Sequence, residues 1–250
     1  MLHGWGMHGG AWGDVVNSLA KMFQVHCVDL PGHGFSGKGA GTAERGTAGS
    51  SAFTLDSVAD ALSAQFDGPL NLLGWSLGGM IAQHWAAREP QKIKRLVLVA
   101  STPCFAGRKD WQFGLPNETL EHFAADLEKN FVSTLRRFLA LQARGSENER
   151  ELLTGLRERL FSRGEPELAA LRGGLSILRD ADLRGILPRI LPPALVIAGQ
   201  RDKLTPPQAS HYLAHAMPNA CSVEIQGAAH APFLSHPQIF VDCMTSFLHE

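Results

Sequence analysis

No window of this sequence reaches the roughly 18 apolar residues of a membrane-spanning helix, and the opening Met1-Leu2-His3-Gly4-Trp5 lacks the basic and apolar regions of an export signal. A dominant charge is also missing. Lys and Arg number 23 against 24 Asp and Glu, a formal net charge of -1, so no global field would hold the chain on nucleic acid or an anionic membrane. Cysteine is sparse: Cys27, Cys104, Cys221 and Cys243 stand far apart, without CxxC spacing or the density of a disulfide scaffold, and read as reduced thiols. These absences predict a soluble, cytoplasmic protein that is not exported and has neither a membrane nor a nucleic-acid partner. What is present, 250 residues with 44% hydrophobic and 19% charged, suits one catalytic domain.

Apolar runs of strand type lie at Gln24 to Val28, Leu70 to Leu73, Leu96 to Ala100, Ala194 to Ala198 and Ser222 to Ile225. Helical patterns are expected near Trp12 to Met22, Leu55 to Phe66, Leu77 to Arg88, Pro207 to Ala216 and Pro237 to His249, with Pro90 as a stop for the third. Such alternation predicts an α/β fold, a mainly parallel sheet flanked by helices. Two segments interrupt the rhythm. Gly37 to Ala52, almost all Gly, Ala, Ser and Thr, reads as a surface loop, and Pro116 to Asp180 is helical without a strand candidate. The expected organisation is a core in two parts, residues 1–115 and 181–250, with an all-helical cap at 116–180. Met1 and Leu2 look like the end of a strand whose earlier part is missing from this chain.

The stretch Leu70-Asn71-Leu72-Leu73-Gly74-Trp75-Ser76-Leu77-Gly78-Gly79-Met80 is an apolar strand, a G-x-S-x-G pentapeptide and then a helix. A serine hydroxyl is a poor nucleophile unless it is held exposed beside a base, and a tight strand-to-helix turn supplies the holding. Gly74 and Gly78 fit because a Cβ at either position would clash across that turn. Ser76 is therefore the candidate nucleophile, and the N-H of Leu77, the next residue, a candidate oxyanion donor.

With three further stretches, His3-Gly4-Trp5-Gly6, Asp29-Leu30-Pro31-Gly32-His33-Gly34-Phe35-Ser36 and Gly227-Ala228-Ala229-His230, the chain resembles the α/β-hydrolase family over nearly its whole length. Family order asks for an acid after a late strand and a histidine after the last. Asp202, following Leu195 to Ala198, and His230, following Val223 to Ile225, satisfy both, giving a Ser76, His230, Asp202 triad. Taken singly, Asp202 could instead cap the helix after Pro206, and His230 could be a surface histidine. The resemblance assigns the second oxyanion donor to Trp5, and gives His3 and His33 loop-holding hydrogen bonds. No H-x-x-x-H or H-E-x-x-H set occurs, so no metal site is expected, and no cofactor.

Serine at position 76 separates the chain from relatives with aspartate there and points to esters, thioesters or lactones. Trp75, Trp5, Thr102-Pro103-Cys104-Phe105, Arg137 to Gln142, Gly173 to Leu178 and Ala228 to Phe233 resemble the carboxylesterases that cleave the methyl ester of pimeloyl-[acyl-carrier protein] in biotin biosynthesis. That likeness implies an acyl carrier protein as partner of a monomeric enzyme. It implies an acyl channel lined by Trp5, Trp75, Leu77, Phe123, Phe138 and Leu204, and carrier contacts at Arg137 and Arg150. Residues 131–163 hold seven arginines against four glutamates, which suits an acidic carrier and its phosphate, though i,i+4 pairs with Glu147, Glu149, Glu151 and Glu158 on a solvated face are an equal reading. Phe123 and Phe138 could likewise be plain core. The alternatives are a general short-chain carboxylesterase or an enol-lactonase of the same fold, and, more distantly, a small-molecule receptor.

Overall fold

The computed structural model describes residues 1–36 and 53–249, so the loop expected at Gly37 to Ala52 lies outside the described residues. Four strands, β1 (Leu70–Trp75), β2 (Ile93–Val99), β3 (Ala194–Gly199) and β4 (Ala220–Ile225), form a parallel sheet in the order β1-β2-β3-β4. Leu96 to Val99 and all of β3 are buried, as strands covered on both faces must be, and this explains their uninterrupted apolar runs. Helices flank the sheet: α1 (Val15–Leu19), α2 (Leu55–Gln65) ahead of β1, α3 (Leu77–Arg88) after it, α7 (Pro207–Ala216) after β3, and α8 (Pro232–Ser235) with α9 (Pro237–His249) after β4. Thr54 starts α2, its Oγ1 accepting from the Ser57 N-H, and α3 stops just ahead of Pro90.

Between β2 and β3 the described chain holds three α-helices, α4 (Asn117–Ala143), α5 (Glu149–Leu160) and α6 (Leu168–Asp180), then a 3₁₀ helix at Arg184–Arg189, with isolated bridges only. α4 is two helices joined at Asn130, whose φ of -160° is not helical and whose Oδ1 accepts from the Ser133 N-H at 2.9 Å, capping the second half. Among its buried residues Phe138 packs edge-on against Trp5, and a Cβ on Gly6 would lie 2.3 Å from Leu135. The helical layer therefore sits directly on the loop that leaves Leu2.

Three expectations need correction. Gln24 to Val28 is not a strand; only Val28 bridges, to Leu2. Its neighbour on the β1 side is just Met1-Leu2, in which Leu2 donates to Leu73 O and accepts from Trp75 N-H, while Met1 O accepts from Val28 N-H. Beyond that pair lies a cavity of about 520 Å³ lined by residues including Leu19, Phe23, Leu62, Leu70 and Trp85. The helix expected over Trp12 to Met22 is confined to Val15–Leu19, because Gly13 at φ 62° parts it from the 3₁₀ turn Gly9–Trp12. β2 begins at Ile93, ahead of its apolar run, since Ile93 and Arg95 pair with Leu70 and Asn71 of β1, with Lys94 out of register between them.

Candidate active site

Strand β1 delivers its last residues into a turn that the glycines make possible. A Cβ on Gly74 would fall 2.3 Å from the Gly78 carbonyl oxygen, and one on Gly78 would fall 2.5 Å from the Leu2 oxygen. Ser76 itself sits at φ 54° and ψ -118°, a strained conformation for a residue with a side chain. The strain is held from behind. Ser101 Oγ donates to Ser76 O at 2.9 Å, and the buried Gln83 amide donates to Gly79 O and Thr102 O, each at 3.2 Å. Nothing in the sequence singled out Gln83 or Ser101, because each is an ordinary polar residue whose partners are remote or on the next turn.

The structure brings Ser76, His230 and Asp202 together from three separate loops. Ser76 Oγ is 2.9 Å from His230 Nε2, and His230 Nδ1 is 2.8 Å from Asp202 Oδ2. The carboxylate can only accept, so the proton belongs on Nδ1 and the Nε2 lone pair is left to accept from the serine hydroxyl. All three residues are buried, Ser76 with 2% of its surface exposed. The loops carrying Asp202 and His230 are cross-tied by main-chain bonds: Gln200 N-H donates to Ile225 O at 3.0 Å and Arg201 N-H to Ala228 O at 2.8 Å. Asp202 Oδ1 accepts from the N-H groups of Leu204 (2.8 Å) and Thr205 (3.0 Å), and Oδ2 accepts from Thr205 Oγ1 at 2.7 Å. Thr205 is another residue that inspection of the sequence passed over.

Leu77 opens α3, so its N-H precedes the first intrahelical bond, and neither it nor the Trp5 N-H donates to another backbone group among the described residues. The Trp5 indole donates to Leu171 O at 2.9 Å, fixing the ring under α6, where a Cβ on Gly174 would come within 2.7 Å of it. From Trp5 a file of edge-on rings runs into the helical layer, Trp5 to Phe138 at 5.0 Å and Phe138 to Phe123 at 5.7 Å between centroids. The Arg137 guanidinium lies over the Phe123 ring at 5.6 Å and pairs with Asp126 at 2.5 Å. Leu204 and Trp75 are buried beside the triad, Leu204 through its bond to Asp202, and Trp75 through its indole, which donates to His230 O at 2.8 Å.

Arg150 is exposed and, with Arg136, Arg144 and Arg157, has no ion-pair partner among the described residues. The i,i+4 pairs of the solvated-face reading are absent there too: Glu147 pairs with Arg201, and Glu149 accepts from Gly145 N-H.

The remaining histidines of the two leading loops are structural in their contacts. His3 Nε2 accepts from Leu30 N-H at 3.0 Å and Nδ1 donates to Gly4 O at 2.9 Å, locking one loop to the other. Burial, with His33 beside it, holds His3 well below the ordinary imidazole range. His33 donates from Nδ1 to Pro31 O, and burial lowers its pKa to about 4. Asp29 joins the same region: its carboxylate accepts from Gly9 N-H at 2.6 Å, Phe35 N-H at 2.8 Å and Arg163 Nη1 at 3.0 Å. Among the described residues no three His, Cys, Asp or Glu side chains are grouped to hold a metal ion. The large cavity at the edge of β1 includes none of the triad.

Residues 1–237 match the family model described as alpha/beta hydrolase fold. The chain is 45% identical over 248 residues to a pimeloyl-[acyl-carrier protein] methyl ester esterase of Chromobacterium violaceum, covering 99% of this chain and 92% of that protein. It is 42% identical over 243 residues to the enzyme of the same name from Nitrosomonas europaea, covering 97% and 92%. Among solved structures, an esterase from Exiguobacterium antarcticum superposes with a TM-score of 0.83 at 20% identity, over 100% of this chain and 91% of that one. The enol-lactonase from Burkholderia xenovorans LB400 does so with 0.81 at 23%, over 100% and 90%; both show the fold alone. The order of sheet and helices, the serine turn and the full-length likeness agree, and the chain belongs to the α/β-hydrolase family, in the branch that holds the two pimeloyl-[acyl-carrier protein] methyl ester esterases.

Proposed function

We propose that this chain is a serine carboxylesterase that hydrolyses the methyl ester of pimeloyl-[acyl-carrier protein], releasing methanol and the free pimeloyl carrier protein in biotin biosynthesis. The observation that carries the chemistry is the continuous hydrogen-bonded chain from Ser76 Oγ through His230 to Asp202. Ser76 Oγ attacks the ester carbonyl carbon while its proton passes to His230 Nε2. The carbonyl oxygen becomes an oxyanion received by the Leu77 and Trp5 N-H groups, whose freedom from other backbone partners supports that role. Collapse breaks the bond to methoxide, which takes the proton from His230 and leaves as methanol. Water then attacks the acyl-serine, giving its proton to His230; collapse of the tetrahedral intermediate breaks the bond from carbon to Ser76 Oγ, which takes that proton back from His230, and the pimeloyl acid leaves and ionises. Asp202 stabilises the imidazolium at each stage.

The substrate assignment rests on the names of relatives matched over nearly the full chain. In this reading the helical layer at 116–180 is a cap, and the file Trp5, Phe138, Phe123, with Trp75, Leu77 and Leu204, lines the acyl channel. Exposed, unpaired Arg150, with Arg137 near the outer end of that file, meets the acidic carrier; Arg136, Arg144 and Arg157 add to the same field. The enzyme acts as a cytoplasmic monomer without cofactor, membrane or nucleic acid; four unpaired cysteines agree with a reducing compartment, and no helix among the described residues is long and apolar enough to cross a membrane.

The test is hydrolysis of pimeloyl carrier protein methyl ester beside a short p-nitrophenyl ester, with Ser76→Ala as the blank. The expected result is a strong preference for the carrier-linked ester and a loss of roughly 10⁴-fold or more in the variant. Activity that depends on Ser76 but is confined to the short ester would make the chain a general carboxylesterase.

A further inference from the structure

Asp202 is held by more than the histidine it serves. Of the four donors around its carboxylate, three come from the two residues that follow it closely, and one of these is a side chain: Thr205 Oγ1, 2.7 Å from Oδ2 and 3.3 Å from His230 Nδ1. Thr205 is 1% exposed and Asp202 is 3% exposed, so the hydroxyl stands where water would otherwise solvate the anion. It shares Oδ2 with the imidazole. The short contact runs from the hydroxyl to the carboxylate, so its hydrogen points at Oδ2.

We infer that Thr205 is a positioning residue of the triad, whose hydroxyl fixes the orientation of the Asp202 carboxylate and draws off part of the negative charge that Oδ2 presents to His230. Two effects follow. The two main-chain N-H groups grip Oδ1 alone, and a carboxylate gripped at one oxygen can still swing the other; the hydroxyl stops that swing and keeps Oδ2 in line with Nδ1. A carboxylate stripped of this donor in a buried site would bind the imidazolium more strongly, so protonated His230, which cannot accept from Ser76, would persist to higher pH. Thr205 touches neither serine nor substrate, so its effect belongs to turnover and not to affinity.

The inference rests on the triad reading but not on the carrier-linked substrate, so a p-nitrophenyl ester serves as probe and Ser76→Ala is run beside it. Thr205→Val keeps the side-chain volume and removes the hydroxyl, and Thr205→Ser restores the hydroxyl without the methyl; Thr205→Ala replaces the valine variant if that one fails to fold. The expected result is a roughly tenfold lower kcat for Thr205→Val, KM within twofold of the parent, and the acidic limb of the kcat profile displaced to higher pH, with Thr205→Ser close to the parent in both. A valine variant with parental kcat and an unmoved acidic limb would overturn the inference, as would valine and serine variants impaired alike. Activity persisting in Ser76→Ala would instead overturn the triad reading itself.

Discussion

The indole Nε1 of Trp75 donates to the main-chain carbonyl of His230 at 2.8 Å, so the residue next to Ser76 holds the loop that carries His230. The ring is fully buried and edge-packed on Phe233 at 5.0 Å. Trp75→Phe keeps an aromatic ring there but leaves a buried carbonyl without its donor. The expected cost is roughly 2 to 4 kcal/mol of stability, from the lost bond and the lost ring atoms. A thermal melt and kcat on a short ester check it together: both fall while KM holds, and an unchanged kcat would mean that the His230 loop is held adequately without the indole.

Gly174 of α6 faces the loop of the proposed oxyanion donors, where an added Cβ would meet Trp5 at 2.7 Å and Leu77 at 3.1 Å. Neither neighbour is free to yield, because the Trp5 indole is bonded to Leu171 O and Leu77 begins a buried helix. Gly174→Ala is therefore expected to lower kcat about tenfold on a small ester by displacing the Trp5 N-H, in line with the loss of part of an oxyanion donor. Steady-state kinetics at matched active-site concentration decide it, and parental kcat would show that α6 moves instead.

The two arginines proposed to meet the carrier sit in different surroundings, which separates their variants. Arg150→Glu reverses an exposed, unpaired charge, so KM for the carrier-linked ester should rise roughly tenfold at low salt, about 1.4 kcal/mol, and the difference should shrink as salt is added. The p-nitrophenyl ester should not respond. Arg137→Glu also breaks the pair with Asp126 and uncovers Phe123, so both substrates should suffer and the melting temperature should fall.

His33 makes stability depend on pH in a definite direction. Burial lowers its pKa to about 4, below the ordinary value of 6.5, so the folded state excludes a proton that the unfolded chain binds. Its contribution is whole above pH 6.5 and is lost as pH falls from there toward 4, on the order of 3 kcal/mol in all. His3, shifted the same way, adds to the slope. His33→Phe should flatten the fall in urea-unfolding free energy between pH 6.5 and 4, and an unaltered slope would assign the acid sensitivity to other groups.

What was legible in the sequence was whatever repeats locally. The apolar runs of β1 and β3 and the limits of α3, α7 and α9 follow from periodicity, glycine and proline, which act within a few residues. The G-x-S-x-G turn was readable because its glycines answer contacts within the same turn and with the neighbouring Leu2. Gln24 to Val28 has the composition of a strand yet forms one bridge, since pairing depends on a neighbour's length and not on composition. The Asn130 break in α4 hid inside an amphipathic pattern that continues on both sides of it. Thr205, Ser101 and Gln83 were invisible for a different reason: a buried polar residue declares itself only through partners that the fold brings to it.

Asp29 gathers three parts of the molecule on one carboxylate: the turn at Gly9 just past Trp5, the turn at Phe35, and Arg163 in the connection between α5 and α6. It works as a joint. Losing Arg163 would leave a nearly buried carboxylate with its two main-chain donors but without its counter-charge, a penalty that ties the helical layer to the two leading loops. Through Gly9 the same carboxylate also reaches the segment that follows Trp5, so the placing of the helical layer and the placing of the Trp5 N-H answer to one side chain.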